Sequence, residues 1–209
     1  MAKTAANLTP KASSSYERIV RASYLCFERH GIERTSIEDI AREAGVTRPT
    51  VYRYFPGGKI DIVDMISSEE SRKIHAEVRK RLVRGNTFEE QLVEALVLVV
   101  RIAIQNPYVR RILSFHEFQA EAVSLEGEMH RLHREWWGPL LEHAAERGEL
   151  ADDLDIDEIL VWLTLTQNML LMRLDTAEIS DGELRRLVQR FVVDPLLMRE
   201  RSASTGSAS

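Results

Sequence analysis

The sequence predicts an all-α protein. Its ten glycines and six prolines fall mostly at the ends of apolar segments, and no alternating run is long enough to indicate a strand. Apolar residues recur instead at helical spacing, as at Ile19, Ala22 and Phe27. With 209 residues, 44% of them hydrophobic, the chain can bury a core in one or two domains.

Composition excludes several classes of protein. The longest apolar run, 95–100, is far too short for a membrane span, and the N-terminus has no apolar segment of a secretory signal. Cys26 is the single cysteine, which excludes an intrachain disulfide and any site built from several cysteines, and fits a reducing compartment. We therefore expect a soluble, cytoplasmic protein.

The spacing of apolar residues and the positions of glycine and proline predict where the helices begin and end. The first runs over 16–30 and ends at His30-Gly31, where glycine enters the left-handed region at little cost. Gly138-Pro139 predicts a kink or a restart inside one later helix, and 107–126 reads as a broken stretch. The other predicted helices are 36–44, 48–54, 59–83, 87–105, 128–147, 156–173 and 181–199.

The segment 35–59, TSIEDIAREAGVTRPTVYRYFPGGK, predicts a helix-turn-helix. Thr35 and Glu38 have the spacing of a capping box at the start of its first short helix. Gly45 ends that helix, and Thr47 is expected to cap the second, with Pro49 tolerated in its first turn.

A second helix of this kind can enter the major groove of DNA with its N-terminal residues facing base edges. Arg48 suits a bidentate pair with guanine, and Pro49 and the Thr50 methyl suit a thymine methyl. Tyr52, Thr47 and Lys59 suit phosphate contacts. The candidate DNA-binding residues are Thr35, Ser36, Thr47, Arg48, Pro49, Thr50, Tyr52, Arg53, Tyr54 and Lys59.

Charge distribution agrees with a DNA-binding head. Residues 1–59 carry ten Lys/Arg against six Asp/Glu, a balance of +4, whereas residues 60–209 carry eighteen against twenty-seven, a balance of −9. The alternative from spacing alone is a packed helical corner that binds no DNA.

The motifs resemble the DNA-binding signature of the tetracycline-repressor (TetR) family of bacterial transcription regulators. The similarity covers 16–65: a helix ending RHG, the IARxAGV helix, the TxxTVYxYF helix and a lysine after a short turn. One departure is the extra glycine in Pro56-Gly57-Gly58-Lys59, since many members have one residue fewer there. The resemblance implies a homodimer that binds a palindromic DNA operator and carries a helical domain for effector binding and dimerisation.

This reading divides the chain into a disordered arm (1–13), a DNA-binding domain (14–58), a helical effector and dimerisation domain (59–201) and a disordered tail (202–209). Helix 156–173 is apolar nearly all round, which predicts that it is sandwiched. With the last helix it would form the two-fold interface, or both could serve only the monomer core. The candidate interface residues are Ile159, Leu163, Leu170, Leu184, Leu187, Val188 and Phe191.

Aromatic and methionine side chains with a few polar groups are typical of a small-molecule pocket. They favour a lipophilic or aromatic effector over a sugar or a nucleotide. The candidate ligand-binding residues are Met65, Phe115, His116, Phe118, Trp136, Trp137, Trp162, Asn168, Met169 and Met172, with Gln167 as a further polar contact.

We find no catalytic or cofactor motif, and expect no enzyme, cofactor or metal. His130 and His133 lie one helical turn apart, but a second set of metal ligands is missing. The resemblance to the TetR family implies a ligand-responsive transcriptional regulator, most often a repressor. Two alternatives stay open: a ligand-dependent activator of the same family, or a ligand-sequestering helical protein with a vestigial helix-turn-helix.

Overall fold

The computed structural model describes residues 14–82, 87–113, 128–176 and 178–197, and within these ranges the protein is helical. The prediction of an all-α fold is confirmed. The described residues contain no strand, only an isolated bridge between Leu150 and Leu197. The helices are α1 (Ser15–Arg34), α2 (Ile37–Ala44), α3 (Arg48–Tyr54), α4 (Lys59–Arg81), α5 (Phe88–Gln105), α6 (Pro107–Leu113), α7 (Glu128–Glu146), α8 (Ile156–Thr176) and α9 (Asp181–Val188), followed by a π-helical turn (Gln189–Val193) and a 3-10 turn (Asp194–Leu196).

Most predicted boundaries lie within a few residues of these, and the differences have local causes. Gly31 has φ +75°, as expected for a glycine that ends a helix, but a further helical turn follows it to Arg34. α7 runs without a break through Pro139, so the predicted restart there is wrong. The last predicted helix is α-helical only to Val188, then widens into the π-helical turn and tightens into the 3-10 turn.

The chain divides into two compact units, Met1–Val63 and Asp64–Ser209, with the boundary inside α4. In the first unit α1, α2 and α3 pack against one another around apolar side chains that are almost fully buried. Its core includes Ile19, Phe27, Ile40, Val51, Phe55 and Ile62. Cys26 is buried in the same core, where a small apolar side chain fits.

In the second unit α5 is the central helix. It contacts α6, α8 and α9, and α7 packs on α8. Its residues Leu92, Leu96 and Val100 have no more than 1% exposed surface, because apolar side chains surround this helix. Ile74 and Val78, on one side of α4, also belong to the hydrophobic core of the second unit.

Candidate functional site

The turn between α2 and α3 positions α3. Gly45 ends α2 in the left-handed conformation, with φ +62° and ψ 39°, and the Val46 N–H donates to the Ala41 carbonyl at 3.0 Å. Val51 packs inward from α3 with no exposed surface. Phe55, the next residue after α3, is buried and stacks on the Tyr16 ring with 5.6 Å between centroids. A seven-residue helix is too short to be stable alone, so α1 and α2 hold it in place.

The cap of α2 differs from the prediction by one residue. Ser36, not Thr35, is the N-cap: its hydroxyl accepts from the Asp39 N–H at 3.2 Å, and the Asp39 carboxylate accepts from the Ser36 N–H at 3.1 Å. The hydrogen bonds from Ser36 hold the pKa of the Asp39 carboxyl below its usual range. Thr35-Glu38 and Ser36-Asp39 have the same spacing, so the motif alone could not separate them.

Thr35 is buried, with 2% of its surface exposed. Its hydroxyl lies 2.7 Å from the Gly31 carbonyl and 3.3 Å from the Cys26 carbonyl, and donates to these carbonyls near the end of α1. The prediction that its side chain contacts DNA is therefore wrong. Thr35 instead stabilises the C-terminal part of α1 through hydrogen bonds to its carbonyls.

The outer face of α3 presents polar and charged side chains. Thr47, Arg48, Pro49 and Arg53 are exposed, and Thr50 is half-buried. The Tyr52 and Tyr54 rings are each more than one-third exposed. Six of these seven predicted DNA-binding residues are thus exposed, and Thr50 is partly accessible.

Arg48 is held by two neighbours. Its Nη1 lies 2.7 Å from a Glu38 carboxylate oxygen, and its Nη2 donates to the Tyr52 hydroxyl at 3.3 Å. Its guanidinium carbon lies 5.4 Å from the Tyr52 ring centre. The hydrogen bond to Tyr52 and the Glu38 charge raise the pKa of Arg48, which keeps it charged. Glu38 is the partner that sequence reasoning missed; its only signal was an acidic residue on the exposed face of the preceding helix.

Thr47, at the start of α3, does not form the predicted side-chain cap. Thr47 is the N-cap residue, yet its side chain makes no capping hydrogen bond; its hydroxyl lies 2.9 Å from that of Thr50. The prediction of a Thr47 side-chain cap is wrong. Both hydroxyls lie at the N-terminal end of α3, where phosphate contacts are common.

Lys59 lies at the start of α4 and faces the end of α1. Its ammonium donates to the Ile32 carbonyl at 3.1 Å and to the Glu33 carbonyl at 3.2 Å. A cation is favourable at the C-terminal end of a helix, where carbonyls lack helical partners. These bonds give Lys59 a structural role, whereas a phosphate contact remains a prediction.

The second unit contains a cavity of about 70 Å³ between α4, α5, α6, α7 and α8. Its described lining carries no charged side chain, because burial lowers the pKa values of its two histidines and keeps them neutral near pH 7. The lining residues are Ser67, Ser71, Ile74, His75, Val99, Ala103, Val109, Ile112, Met129, His133, Thr164, Gln167, Asn168 and Leu171.

Few of the predicted ligand-binding residues line this cavity. Asn168 and the further candidate Gln167 do, whereas Met65 does not. Trp136 and Trp137 pack against the His75 ring instead, at 4.6 and 5.7 Å between centroids. Phe115, His116 and Phe118 lie outside the described residues.

Three predicted pocket residues on α8 face outward: Trp162, Met169 and Met172 are 42%, 70% and 54% exposed. Their assignment to the cavity is wrong. Helical periodicity marked two apolar stripes on α8 but could not tell which of them faces the core.

Four of the seven predicted interface residues lie in the core of their own chain and not on its surface. Ile159, Leu163, Leu184 and Val188 are fully buried in the core of their own chain, so their assignment to an interface surface is wrong. Leu170 and Leu187 are partly buried, and Phe191 is exposed. The large exposed apolar side chains of α8 are instead Trp162, Leu165, Met169 and Met172, which form an exposed apolar stripe.

The histidine pair of α7 makes separate contacts. His130 lies 3.5 Å from Asp157, and His133 bonds to Thr164. In the described part of the chain, no group of three or more His, Cys, Asp or Glu side chains could hold a metal ion. No described helix is both long and apolar enough to cross a membrane.

Comparison with known proteins agrees with the helix-turn-helix geometry. Residues 19–64 match the family described as "Bacterial regulatory proteins, tetR family". An uncharacterized HTH-type transcriptional regulator of Mycobacterium tuberculosis is 35% identical over 82 residues, which are 39% of this chain and 41% of that protein. The alignment thus spans about two-fifths of the mycobacterial relative. The HTH-type transcriptional regulator SrpR of Pseudomonas putida is 26% identical over 159 residues, 74% of this chain and 70% of SrpR.

Solved structures share the fold over most of the chain. A tetR-family transcription regulator from Shewanella superposes with a TM-score of 0.64 at 16% identity, covering 90% of this chain and all of that one. The fatty acid degradation regulator FadR of Bacillus halodurans has a TM-score of 0.59 at 17% identity, covering 88% and 96%. The fold and the site define a helix-turn-helix protein whose DNA-binding segment, residues 19–64, matches the tetR family. The relatives are named as regulators, which agrees with the expectation that this chain is not an enzyme.

Proposed function

We propose that the protein is a ligand-responsive transcriptional repressor that binds a palindromic DNA operator as a homodimer and acts in the cytoplasm. The observation that carries this proposal is the exposed face of α3, which presents Arg48, Pro49 and Tyr52 on a short helix that follows a capped α2 and a left-handed glycine. The names of the relatives, all transcriptional regulators, support it.

In this proposal Arg48 reads a guanine edge, while Pro49 and Thr50 contact a thymine methyl. Thr47 and Tyr52 contact phosphates and set the register of the helix. The guanidinium of Arg48 must exchange its bond to Glu38, at 2.7 Å, for the bonds to the base. A base that offers two acceptors compensates this loss, whereas other bases do not.

Dimerisation is supported by the exposed apolar stripe of α8. Its four side chains are separated by three or four residues, so they form one continuous face. Each is at least 40% exposed, which is unusual for a row of large apolar groups on a soluble monomer. A second copy packed across this face would bury it, and two recognition helices about one turn of DNA apart would then match an inverted repeat.

The effector in this proposal is a lipophilic or aromatic small molecule bound in the cavity of the second unit. Apolar walls with a few convergent polar groups are typical of small-molecule sites. Binding releases the operator only if the effector favours the conformation that binds DNA poorly, with a coupling of about 1–3 kcal/mol.

The test is selection of bound fragments from a random duplex library by the purified protein, followed by sequencing. We expect an enriched inverted repeat whose affinity falls steeply with salt, since phosphate contacts release counterions. Absence of enrichment at both low and moderate salt would contradict the proposed DNA reading. An enriched single half-site would contradict the dimer alone.

A further inference from the structure

We propose that the cavity of the second unit takes an uncharged molecule with an apolar body and a hydroxyl group, and that His133 and His75 bind the hydroxyl. The inference rests on the proposed ligand site and names its chemistry. It follows from the hydrogen-bonding state of two buried histidines, and is independent of DNA binding.

The protonation of His133 follows from its neighbour Thr164. The Thr164 hydroxyl donates its single proton to the Leu160 carbonyl at 2.8 Å, because a carbonyl can only accept. The same oxygen lies 2.6 Å from His133 Nδ1, so it must accept there, and Nδ1 carries the proton. In the neutral ring Nε2 is then an acceptor.

Both histidines are neutral near pH 7. His133 is 4% exposed, and burial, followed by the charge of His130, lowers its pKa to about 4. His75 is also 4% exposed, and burial, followed by the charges of His133 and Arg79, lowers its pKa to about 3. Neutral His75 therefore offers one donor and one acceptor.

His75 has no hydrogen bond to any described residue. One face of its ring stacks on Trp136, with 4.6 Å between centroids and 16° between planes. The His133 ring approaches it at 6.2 Å. The ring lines the cavity, so its nitrogens can form hydrogen bonds only with a group that enters this space. Because both rings line the cavity, a ligand group placed there can satisfy them.

The hydrogen-bonding groups of His133 and His75 determine which chemical group of a ligand fits between them. His133 Nε2 requires a donor, and a hydroxyl can donate to it while also accepting from His75. A carboxylate cannot donate, and the described lining offers it no cation. An ammonium group could donate, but Glu70, the buried carboxylate on α4, is outside the lining and already binds Lys73 and Asn106. An uncharged hydroxyl is the group that fits.

The rest of the cavity accepts an apolar body. Ile74, Val99, Val109, Ile112 and Leu171 form its apolar walls. Its volume of about 70 Å³ is below the roughly 150 Å³ of a cavity that holds benzene. A ring-sized ligand therefore requires a side chain to move, and Met129, which is unbranched and lines the cavity, is suited to do so.

The first experiment uses calorimetric titration of the full-length protein at pH 7.5 with four probes of similar size: phenol, anisole, benzoate and benzylammonium. We expect phenol to bind at least tenfold more tightly than anisole, which has the same ring but no donor. Benzoate and benzylammonium should bind more weakly than phenol, because each brings an unpaired charge into the cavity.

Two variants assign the effect to His133. His133→Phe keeps an aromatic ring but removes both nitrogens, and should bring the phenol-to-anisole ratio close to one. His143→Phe is the matched control, since His143 lies on the same helix with an exposed side chain; it should keep the wild-type ratio. Equal affinity of the wild type for phenol and anisole, tighter binding of benzoate, or no binding of any probe at millimolar concentration would overturn the proposal.

A measurement on the wild type does not depend on the folding of a variant. Two-bond ¹H–¹⁵N spectra of histidine-labelled protein should show His133 protonated at Nδ1, with an Nε2 resonance that moves when phenol is added. A proton on Nε2, or an Nε2 resonance unaffected by phenol, would overturn the assignment. All these titrations are made without DNA. Failure here thus leaves operator binding untouched, and a ligand that binds without releasing the operator contradicts only the proposed coupling.

Discussion

Arg48 illustrates how one side chain can be both accessible and restrained. It lies on the exposed face of α3, yet its guanidinium is engaged by the Glu38 carboxylate and the Tyr52 hydroxyl. A free arginine would be attracted to any phosphate, whereas this one must give up defined bonds before it binds a base. We infer that the local contacts of Arg48 favour discrimination between bases over affinity for DNA in general.

Substitutions of Arg48 and Tyr52 should change DNA binding in different ways. Arg48→Ala is expected to relax the preference at one base per half-site, at a cost of about 1–3 kcal/mol on the preferred operator. Tyr52→Phe should weaken binding to all sequences alike, because a phosphate contact carries no base information. Competition binding with operators changed at single positions measures both effects. Equal, sequence-independent losses in the two variants would show that these roles are wrongly assigned.

His75 and His133 predict an acid-sensitive stability. In the unfolded chain a histidine binds a proton below about pH 6.5, whereas in the folded protein the pKa values are about 3 and 4. Between these limits the unfolded state binds more protons, so the free energy of unfolding falls as the pH is lowered. Each histidine contributes up to about 1.4 kcal/mol per pH unit.

Urea unfolding at pH 7, 6 and 5 measures this slope. The window lies above the usual carboxyl range, so protonation of Asp39 and Glu77, whose pKa values are depressed, contributes little. His75→Phe should flatten the dependence relative to its own value at pH 7, and the exposed His143→Phe should leave it unchanged. A wild-type stability that stays constant from pH 7 to 5 would contradict the buried neutral state.

At the scale of the helix, the capping contacts of α2 and α3 differ although both begin with a hydroxyl residue. Ser36 forms a reciprocal box with Asp39, whereas the Thr47 hydroxyl pairs with Thr50. Short helices depend on such end contacts, since few of their backbone groups have helical partners.

This difference predicts unequal losses of stability. Ser36→Ala should lower the free energy of unfolding by about 1 kcal/mol, because the Asp39 N–H loses its acceptor. Thr47→Ala, which removes no capping bond, should cost clearly less. Thermal unfolding followed by circular dichroism compares the two. A larger loss for Thr47→Ala than for Ser36→Ala would contradict the assigned caps.

Several features of these helices could be predicted from the sequence because their causes are local. Gly45, the apolar spacing and the hydroxyl residues before α2 act within a few positions along the chain. The identity of the capping residue could not be predicted, since two hydroxyl residues stand next to each other and only the helix start at Ile37 decides between them. The same holds for Pro139: its neighbours in sequence indicate a break, but the helix continues.

At the scale of the whole molecule, the stripe on α8 places four exposed large apolar side chains on one face of a helix. Phe191, 59% exposed, is a further large apolar side chain near the end of the second unit. Since 40–70% of the surface of each of these side chains is exposed, burial against a second copy would stabilise a dimer.

Introducing a charge into the stripe should therefore separate the subunits. Met169→Glu is expected to convert a dimer into a folded monomer, because the carboxylate would be buried without a partner. Ala145→Glu, at an exposed position on α7, is the matched control and should leave the dimer intact. Sedimentation equilibrium gives the mass, and circular dichroism checks the helicity. A wild-type protein that is monomeric at micromolar concentration, or a Met169→Glu variant that stays dimeric, would contradict the interface.

The sequence by itself determined the helical class, the order of the helices and the helix-turn-helix, because periodicity, caps and glycines act over short distances along the chain. Only the tertiary structure decided which stripe of α8 faces the core, that Glu38 holds Arg48, and that His75 and His133 line one cavity. Glu38 and Arg48 are 10 positions apart, and His75 and His133 are 58 positions apart. Helical periodicity identifies an apolar face of a helix but not the helix that packs on it.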